Sequence, residues 1–357
     1  MEIQNLLFEN RFLYLSHNDL VAVGLLDYAA IVEDVRRGLC MHVQGETIGE
    51  KLALDFDVDK DWKISALVGV VGSYAGVKWL GANADNRSLG LPRSSSIIAL
   101  NDRKTGKSLC VMDGTLISAL RTGACAALAA EVLGKPEPTC VGILGAGVIS
   151  RCALLCMAAV ARNRIGRVLV YDHISERKEQ FAQMMEEVTG LSVEPSEDLG
   201  EMVRQSGITI SATTAMAPLI KLADVRPAST HIHLGGWEDE KAYVVECARP
   251  PNKIVCADVE MVLHRNTQTV AYAYHDGLIS REQFYGNLGE ILLGKKPGRK
   301  GDELIYFNPV GLPVLDVIVA SRFFENASRE NMGVLLGSQT SHWILSGKLF
   351  HHPANVN

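Results

Sequence analysis

Three features of this 357-residue chain predict an α/β fold built on a doubly wound parallel sheet. The hydrophobic run Val141–Leu144 ends in the loop Gly145-Ala146-Gly147-Val148-Ile149-Ser150. A small-residue apolar stretch, Arg151–Ala161, follows it, and a second hydrophobic run, Arg167–Tyr171, closes on Asp172. Strand, glycine turn, helix, strand, acid is the order of a dinucleotide-binding βαβ unit of the Rossmann type. Gly145 permits the tight turn and Gly147 lets the backbone approach a pyrophosphate, whose charge meets the amides at the helix start. Ser150 stands where Gly or Ala is usual and is small enough for close helix–strand packing.

Ahead of that unit the chain reads as α+β. Leu25–Gln44 has a helical pattern, and Ile64–Val71 and Ala75–Leu80 are strand-like. Ile97–Asn101 and Ser108–Met112 flank a polar turn, Asp102 to Lys107, and predict a β-hairpin. Leu116–Leu133 predicts a long helix of small residues, stopped by Gly134-Lys135-Pro136-Glu137-Pro138. Beyond Asp172 the pattern predicts helices at Ser175–Val188 and Leu199–Gln205. It also predicts strands at Ser192–Glu194, Ile208–Thr213, Thr230–Leu234 and Lys253–Ala257. A basic loop, Gly298–Gly301, precedes an expected strand at Glu303–Phe307, the turn Asn308-Pro309-Val310-Gly311-Leu312-Pro313, and a helix from Asp316 to about Ala327. After Gly333 an appended helix is expected. The predicted division is 1–135, with 318–357 packing back, and 136–317.

Composition narrows the class. The length suggests two domains with ample core. With 47% hydrophobic and 21% charged residues, the balance is that of an ordinary globular protein. A net charge of −6 without a basic block argues against a nucleic-acid partner. The N-terminus lacks a cationic segment followed by an apolar core, and no run is expected to reach membrane-span length, so a cytoplasmic setting is expected. The eight cysteines form no C-x-x-C pair and read as reduced core residues, with no metal expected.

Several side chains carry candidate chemistry. Asp172 falls where an acid accepts hydrogen bonds from ribose hydroxyls, which favours NAD; Ser175 and Arg177 leave NADP open. Lys78 sits inside an apolar strand, on one face with Gly76 and Leu80, and must meet an anion or lose its charge. Arg121, in a helix of mostly Ala, Leu and Cys, offers a bidentate fork for a carboxylate or phosphate. Arg87 and Arg93 flank a Gly/Pro loop and read as surface residues, with a phosphate within Arg93's reach. His231 and His233 read as structural, with only one expected on the ligand side of the sheet. His264-Arg265 follows a strand and borders the expected crevice. Glu238, Asp239 and Lys241 follow Gly235-Gly236 at a strand's C-terminal end, where open α/β sheets bind ligands.

These segments together resemble a known family. GVKWLGANADNRSLGLPRSSSIIALNDRKTGKSLCVMDGTLISALRTGACAALAAEVLG, then GILGAGVIS, HIHLGG and FNPVGLPVLDV, resembles the ornithine cyclodeaminase/mu-crystallin family over roughly residues 11–330. Within it, the LPR…LND…TGK…RTG stretch looks most like a siderophore-pathway branch whose members oxidise N-(2-amino-2-carboxyethyl)-L-glutamate with NAD. The resemblance implies a Rossmann NAD-binding domain and an α+β substrate-binding and dimerisation domain in a homodimer. By position it implies Lys78 as the substrate-carboxylate lysine, with Lys51 the nearest candidate for a further carboxylate-binding cation. It also implies Arg121 and Thr122 as a phosphate/carboxylate pair, and Gly145, Ala146, Gly147, Val148, Ile149, Asp172, Thr213 and Lys241 as cofactor contacts.

Two departures stand out. Trp237 occupies the place of the family's catalytic aspartate, with Glu238 and Asp239 next to it, and Pro309 replaces a turn serine. The expected activity is NAD-dependent oxidation at a C–N bond of an amino acid or N-carboxyalkyl amino acid. Lys78, Glu238 or Asp239 would handle protons. A redox-neutral ornithine cyclodeaminase and a non-catalytic mu-crystallin-like binding protein are the alternatives.

Overall fold

The computed structural model describes residues 11–57, 62–265 and 267–337. Two sheets carry the chain. The first is built from β1 (Arg11–Leu15), β2 (Ile48–Asp57), β3 (Trp62–Val71), β4 (Tyr74–Ala82), β5 (Ser94–Asp102) and β6 (Ser108–Asp113), with α1 (His17–Ala22) and α2 (Tyr28–Val43) between β1 and β2. Strands β2 to β6 form an antiparallel meander, and β6 pairs in parallel with β1.

Helix α3 (Thr115–Leu133) leads out of this sheet into β7 (Thr139–Leu144), α4 (Val148–Val160), β8 (Ile165–Tyr171), α5 (Ser175–Thr189), β9 (Val193–Pro195), α6 (Leu199–Gln205) and β10 (Ile208–Ser211). The chain continues with β11 (Thr230–His233), α7 (Lys241–Cys247), β12 (Lys253–Cys256), α8 (Val259–Leu263), α9 (Thr269–His275), β13 (Phe284–Asn287), α10 (Leu288–Leu292) and β14 (Ile305–Asn308). The second sheet has the order β13-β12-β14-β11-β10-β7-β8-β9, and every neighbouring pair is parallel. Its central strands are buried on both faces, which is why they read as continuous apolar runs. The order reverses direction between β7 and β10, the kind of switch point at whose C-terminal strand ends open α/β sheets bind ligands.

The chain then returns to the first sheet. Helix α11 (Pro313–Glu330) begins at Pro313, which suits the first turn of a helix, and packs across β3, β4 and β5. This return precedes the expected position, 318. The helix expected after Gly333 is instead a strand, β15 (Val334–Gly337), antiparallel to β1 through Leu13↔Leu335 and Tyr14↔Val334; positions 338–357 lie outside the described residues. Four residues are too few for a helical turn to compete with an open strand edge on β1.

One composition-based expectation also changes. Helix α3, with 19 residues, is long and apolar enough to span a bilayer, but 72% of its apolar window is buried inside the protein. It is a core helix between the two sheets. Its closest approach is to α4: a Cβ on Gly123 would lie 2.5 Å from the carbonyl carbon of Cys152, so only glycine lets the two backbones meet. The eight cysteines are all free, and all but Cys40 and Cys140 are buried.

Candidate active site

The glycine loop has the geometry of an anion cradle. Gly145 takes φ +96°, and a Cβ there would strike the Ala212 carbonyl oxygen at 2.7 Å. Its carbonyl accepts the Ser150 hydroxyl, which ties the loop to the first turn of α4. Asp172, at the end of β8, accepts the Ala146 amide at 2.9 Å through one oxygen and the Ile174 amide at 3.0 Å through the other. Gly147 caps α4 without a side-chain hydrogen bond, and a Cβ on it would meet nothing within 4 Å. The amides that open α4 therefore face free space, and the backbone partial charge there favours an anion. Val148 is half-exposed beside them. A pyrophosphate fits this cradle, with Asp172 within a ribose's reach of it.

The first sheet contributes cations. Cross-strand pairing puts Lys51, Leu67 and Lys78 in one row, so both lysines stand on the same face; Lys63, four residues before Leu67 on β3, shares it. Lys78 is 1% exposed and meets an anion: its Nζ donates to Asp316 Oδ1 at 2.8 Å and to Ser118 Oγ at 2.9 Å. Arg121 Nε donates to the same Asp316 oxygen at 3.1 Å. Arg121 comes from α3 two residues before Gly123, whose packing on Cys152 sets this helix beside the second turn of α4. The neighbouring Thr122 hydroxyl donates to Ser118 O within α3. Arg265 reaches the cluster from beyond α8. A Cβ on Gly311, in the turn after β14, would lie 3.7 Å from Arg265 Nη2 and 3.9 Å from Arg121 Nη2.

Crowding shows in the titration of these groups. Burial, followed by the charges of Arg265, Lys63, Lys78 and Arg121, pulls Lys51 down to about 7. Burial and Arg121 bring Lys78 down to about 8 against the pull of Asp316. Burial and Arg121 lower Arg265 to about 10. A site that depresses several cations at once is short of anions.

The acids after Gly236 are arranged differently from the sequence expectation. Glu238 is fully buried; one oxygen accepts the amide and hydroxyl of Thr213 at 2.8 and 2.9 Å, the other the Gly236 amide at 2.6 Å with His233 Nε2 at 3.1 Å. Burial works against its charge, but the His233 hydrogen bond and charge and the Thr213 amide hold Glu238 at about 2. Asp239, 1% exposed, accepts the Tyr306 hydroxyl at 2.6 Å. Both acids brace the ends of β10, β11 and β14, and neither is brought together with Lys78 by a hydrogen bond or ion pair.

His231 and His233 are both buried, with ring centroids 6.0 Å apart. Residues two apart on a strand share a face, so the expectation that only one reaches that side does not hold. His231 bonds Ser211 and His233 bonds Asn308. Trp237 stacks against Tyr272 with centroids 4.4 Å apart. Lys241 is half-exposed and paired with Asp276 over the Tyr272 ring, so its ammonium is already engaged. Arg93, largely buried, feels the charge of Glu238. His264 is exposed and bonded to its own helix at Glu260 O. In the basic loop, Arg299 bonds the carbonyls of Leu133, Ser229 and Glu303 and has a structural role.

Sequence reasoning missed Asp316, Lys63 and the full importance of Arg265. Asp316 carried a legible signal, an acid inside the apolar helix segment VLDVIVA. Such a residue is buried only with a partner.

The two sheets, the dinucleotide-type loop and the buried cation cluster define an α/β protein of the Rossmann type. The chain belongs to the ornithine cyclodeaminase/mu-crystallin family, whose model matches residues 32–331. It is 32% identical over 264 residues to alanine dehydrogenase of Archaeoglobus fulgidus, covering 73% of this chain and 79% of that one. It is 26% identical to N-((2S)-2-amino-2-carboxyethyl)-L-glutamate dehydrogenase of Staphylococcus aureus, covering 91% of this chain and 98% of that one. Its structure superposes on Thermococcus litoralis Δ1-pyrroline-2-carboxylate reductase in complex with NADH and L-proline. The TM-score is 0.83 at 28% identity, with 90% and 99% of the chains covered.

Proposed function

We propose that this protein is an NAD-dependent oxidoreductase acting on the C–N bond of an amino acid or N-carboxyalkyl amino acid. One observation carries the reading: the buried cations Lys78 and Arg121, organised by Asp316, stand beside the helix whose open amides form the glycine-loop cradle. The dehydrogenases and reductases to which the chain is similar support it.

The amides of Gly147 to Ile149 would hold the pyrophosphate and Asp172 the ribose hydroxyls, with Arg121, Thr122 and Thr213 bordering the cofactor. Bound NAD supplies a hydride acceptor, or NADH a donor. Lys51, Lys78 and Arg121 grip the substrate α-carboxylate and so fix Cα at the reacting distance; orientation of this kind supplies much of an enzyme's rate. Loss of hydride from Cα leaves a substrate iminium ion, which water hydrolyses to a keto acid and an amine with release of a proton. Lys78, brought to about 8 by burial and Arg121, is the proton carrier. Glu238 and Asp239 are positioning groups: Glu238, held at about 2, takes up no proton at neutral pH, and Asp239 is engaged by the Tyr306 hydroxyl.

The test is a screen for NADH absorbance with NAD and a panel of amino acids and secondary-amine dicarboxylates. Accumulation of NADH with any of them supports the proposal. Ornithine turnover to proline without net NADH would replace it with the cyclodeaminase reading.

The outer face of the first sheet favours a homodimer. Leu52, Leu54, Phe56, Trp62, Val68 and Trp79 are all exposed there, and a contiguous apolar sheet face calls for a cover. Light scattering giving the mass of a single chain would exclude that assembly.

A further inference from the structure

Five cations converge on the crevice: Lys51, Lys63 and Lys78 from one sheet face, Arg121 from α3 and Arg265 from beyond α8. Among the described residues two carboxylates face them. Asp316 is shared between Lys78 and Arg121, and Asp55 lies opposite Lys63 on the neighbouring strand. The balance leaves a surplus of positive charge larger than one α-carboxylate can neutralise.

The surplus is local. Lys78 and Arg121 already have Asp316, so an α-carboxylate beside them completes that half of the site. Arg265 has no such arrangement: its Nη2 is buried and has no hydrogen-bond partner. A buried guanidinium serving as a strut is normally satisfied by carbonyls or carboxylates, as Arg299 is in this chain. The position of Gly311 shows that the Arg265 and Arg121 guanidiniums both approach one point of backbone, each within 4 Å of where a Cβ would stand. With no Cβ at that point, a ligand can lie between the two forks. The depressed ionisation of Lys51 and Arg265 is the expected companion of such crowding.

We infer that Arg265, with Lys63, forms a second anion subsite, so that the substrate carries a second carboxylate besides the one held by Lys78 and Arg121. The inference rests on the crevice being a substrate site, and it narrows the proposed function to acidic amino acids or their N-carboxyalkyl derivatives. Planar bidentate recognition suits the Arg265 fork to a carboxylate, and Lys63 adds a point charge.

Binding of inert ligands tests it apart from turnover. The full chain, with and without NADH, is titrated calorimetrically with glutarate and with pentanoate, a dianion and a monoanion of the same carbon length. The expected result is glutarate binding at least about tenfold more tightly than pentanoate. Arg265→Gln should lose most of that preference while leaving pentanoate within about twofold, and Lys63→Met should shift in the same direction. Arg265→Lys, which keeps the charge, should retain part of the preference, and thermal melts establish that each variant is folded. Equal affinities in the wild type would overturn the subsite, as would an Arg265→Gln variant that weakens both ligands alike or neither. Selective glutarate binding together with no NADH formation from any amino substrate would remove the oxidoreductase reading and leave the subsite standing.

Discussion

Lys78 and Asp316 form a buried ion pair, 2.8 Å apart, with side chains 1% and 0% exposed. The two residues come from opposite ends of the chain, and Arg121 binds the same aspartate oxygen. Asp316 thereby keeps two cations charged in a place where burial alone would discharge the lysine.

Removing that aspartate leaves two cations uncompensated. Asp316→Asn is expected to cost about 3–5 kcal/mol of stability, the usual penalty for breaking a buried pair from one side. It should also lower the Lys78 pKa and shift the activity profile to lower pH. Denaturant melts and a pH–rate profile check both effects. A variant as stable as the wild type would show that the pair is not the organiser of the site.

Lys51 makes ligand binding pH-dependent. Its pKa in the free protein is about 7, and a carboxylate bound nearby raises it. Binding at pH 8 should therefore take up a proton, and affinity should fall as pH rises above 7. Calorimetry in two buffers of different ionisation enthalpy measures the uptake, and Lys51→Met should reduce it to the share that Lys78, at about 8, contributes.

The His233–Glu238 pair gives stability two pH limits. Burial opposes the charge on His233, but Asp239 and Glu238 outweigh it and raise the imidazole to about 9 from an ordinary 6.5. Its contribution is complete below 6.5 and declines as pH rises through 9. Glu238, held at about 2 against an ordinary 4.5, contributes fully above 4.5 and loses its contribution as pH falls toward 2. The melting temperature should thus be highest between about pH 4.5 and 6.5, so far as this pair decides it. His233→Gln should flatten the alkaline side; an unchanged alkaline slope would exclude His233 as its source.

Gly123 is the contact between the helix bearing Arg121 and the helix bearing the glycine loop. Gly123→Ala would press a methyl group into the Cys152 backbone. Overpacking of this kind costs about 1–3 kcal/mol. NAD affinity should fall with stability, because the two helices must part. Ala in place of Gly81, where nothing lies within 4 Å, is the control that should leave both unchanged.

Asp172→Ala should weaken NAD and narrow its advantage over NADP, since on the proposed function the carboxylate would both accept ribose hydroxyls and repel a 2′-phosphate. Fluorescence titration with both cofactors reads this directly. Equal losses for the two would leave Asp172 only its hydrogen bonds to Ala146 and Ile174.

Most of the second sheet was legible because parallel strands buried on both faces leave unbroken apolar runs, and the glycine loop leaves a local signature. The terminal strand β15 was not: four residues have no period of their own, and their pairing depends on the distant edge of β1. The partners of Glu238 and Asp239 were not legible, because acids near a strand's C-terminal end look alike in sequence whether they face a ligand or brace two loops. Their partners, Thr213, His233 and Tyr306, come from three separate segments.

From the order of residues alone came the α/β class, the dinucleotide-type loop, the acid that closes β8 and the two cations, Lys78 and Arg121, placed in apolar surroundings. Each is a local property, set by periodicity within one element or by a charge at odds with its neighbours. Which anion meets those cations, which acids are already engaged, and how many positive charges share one crevice were decided only in three dimensions. Coulomb interactions act through space, and Lys78 and Asp316 lie 238 positions apart in the chain.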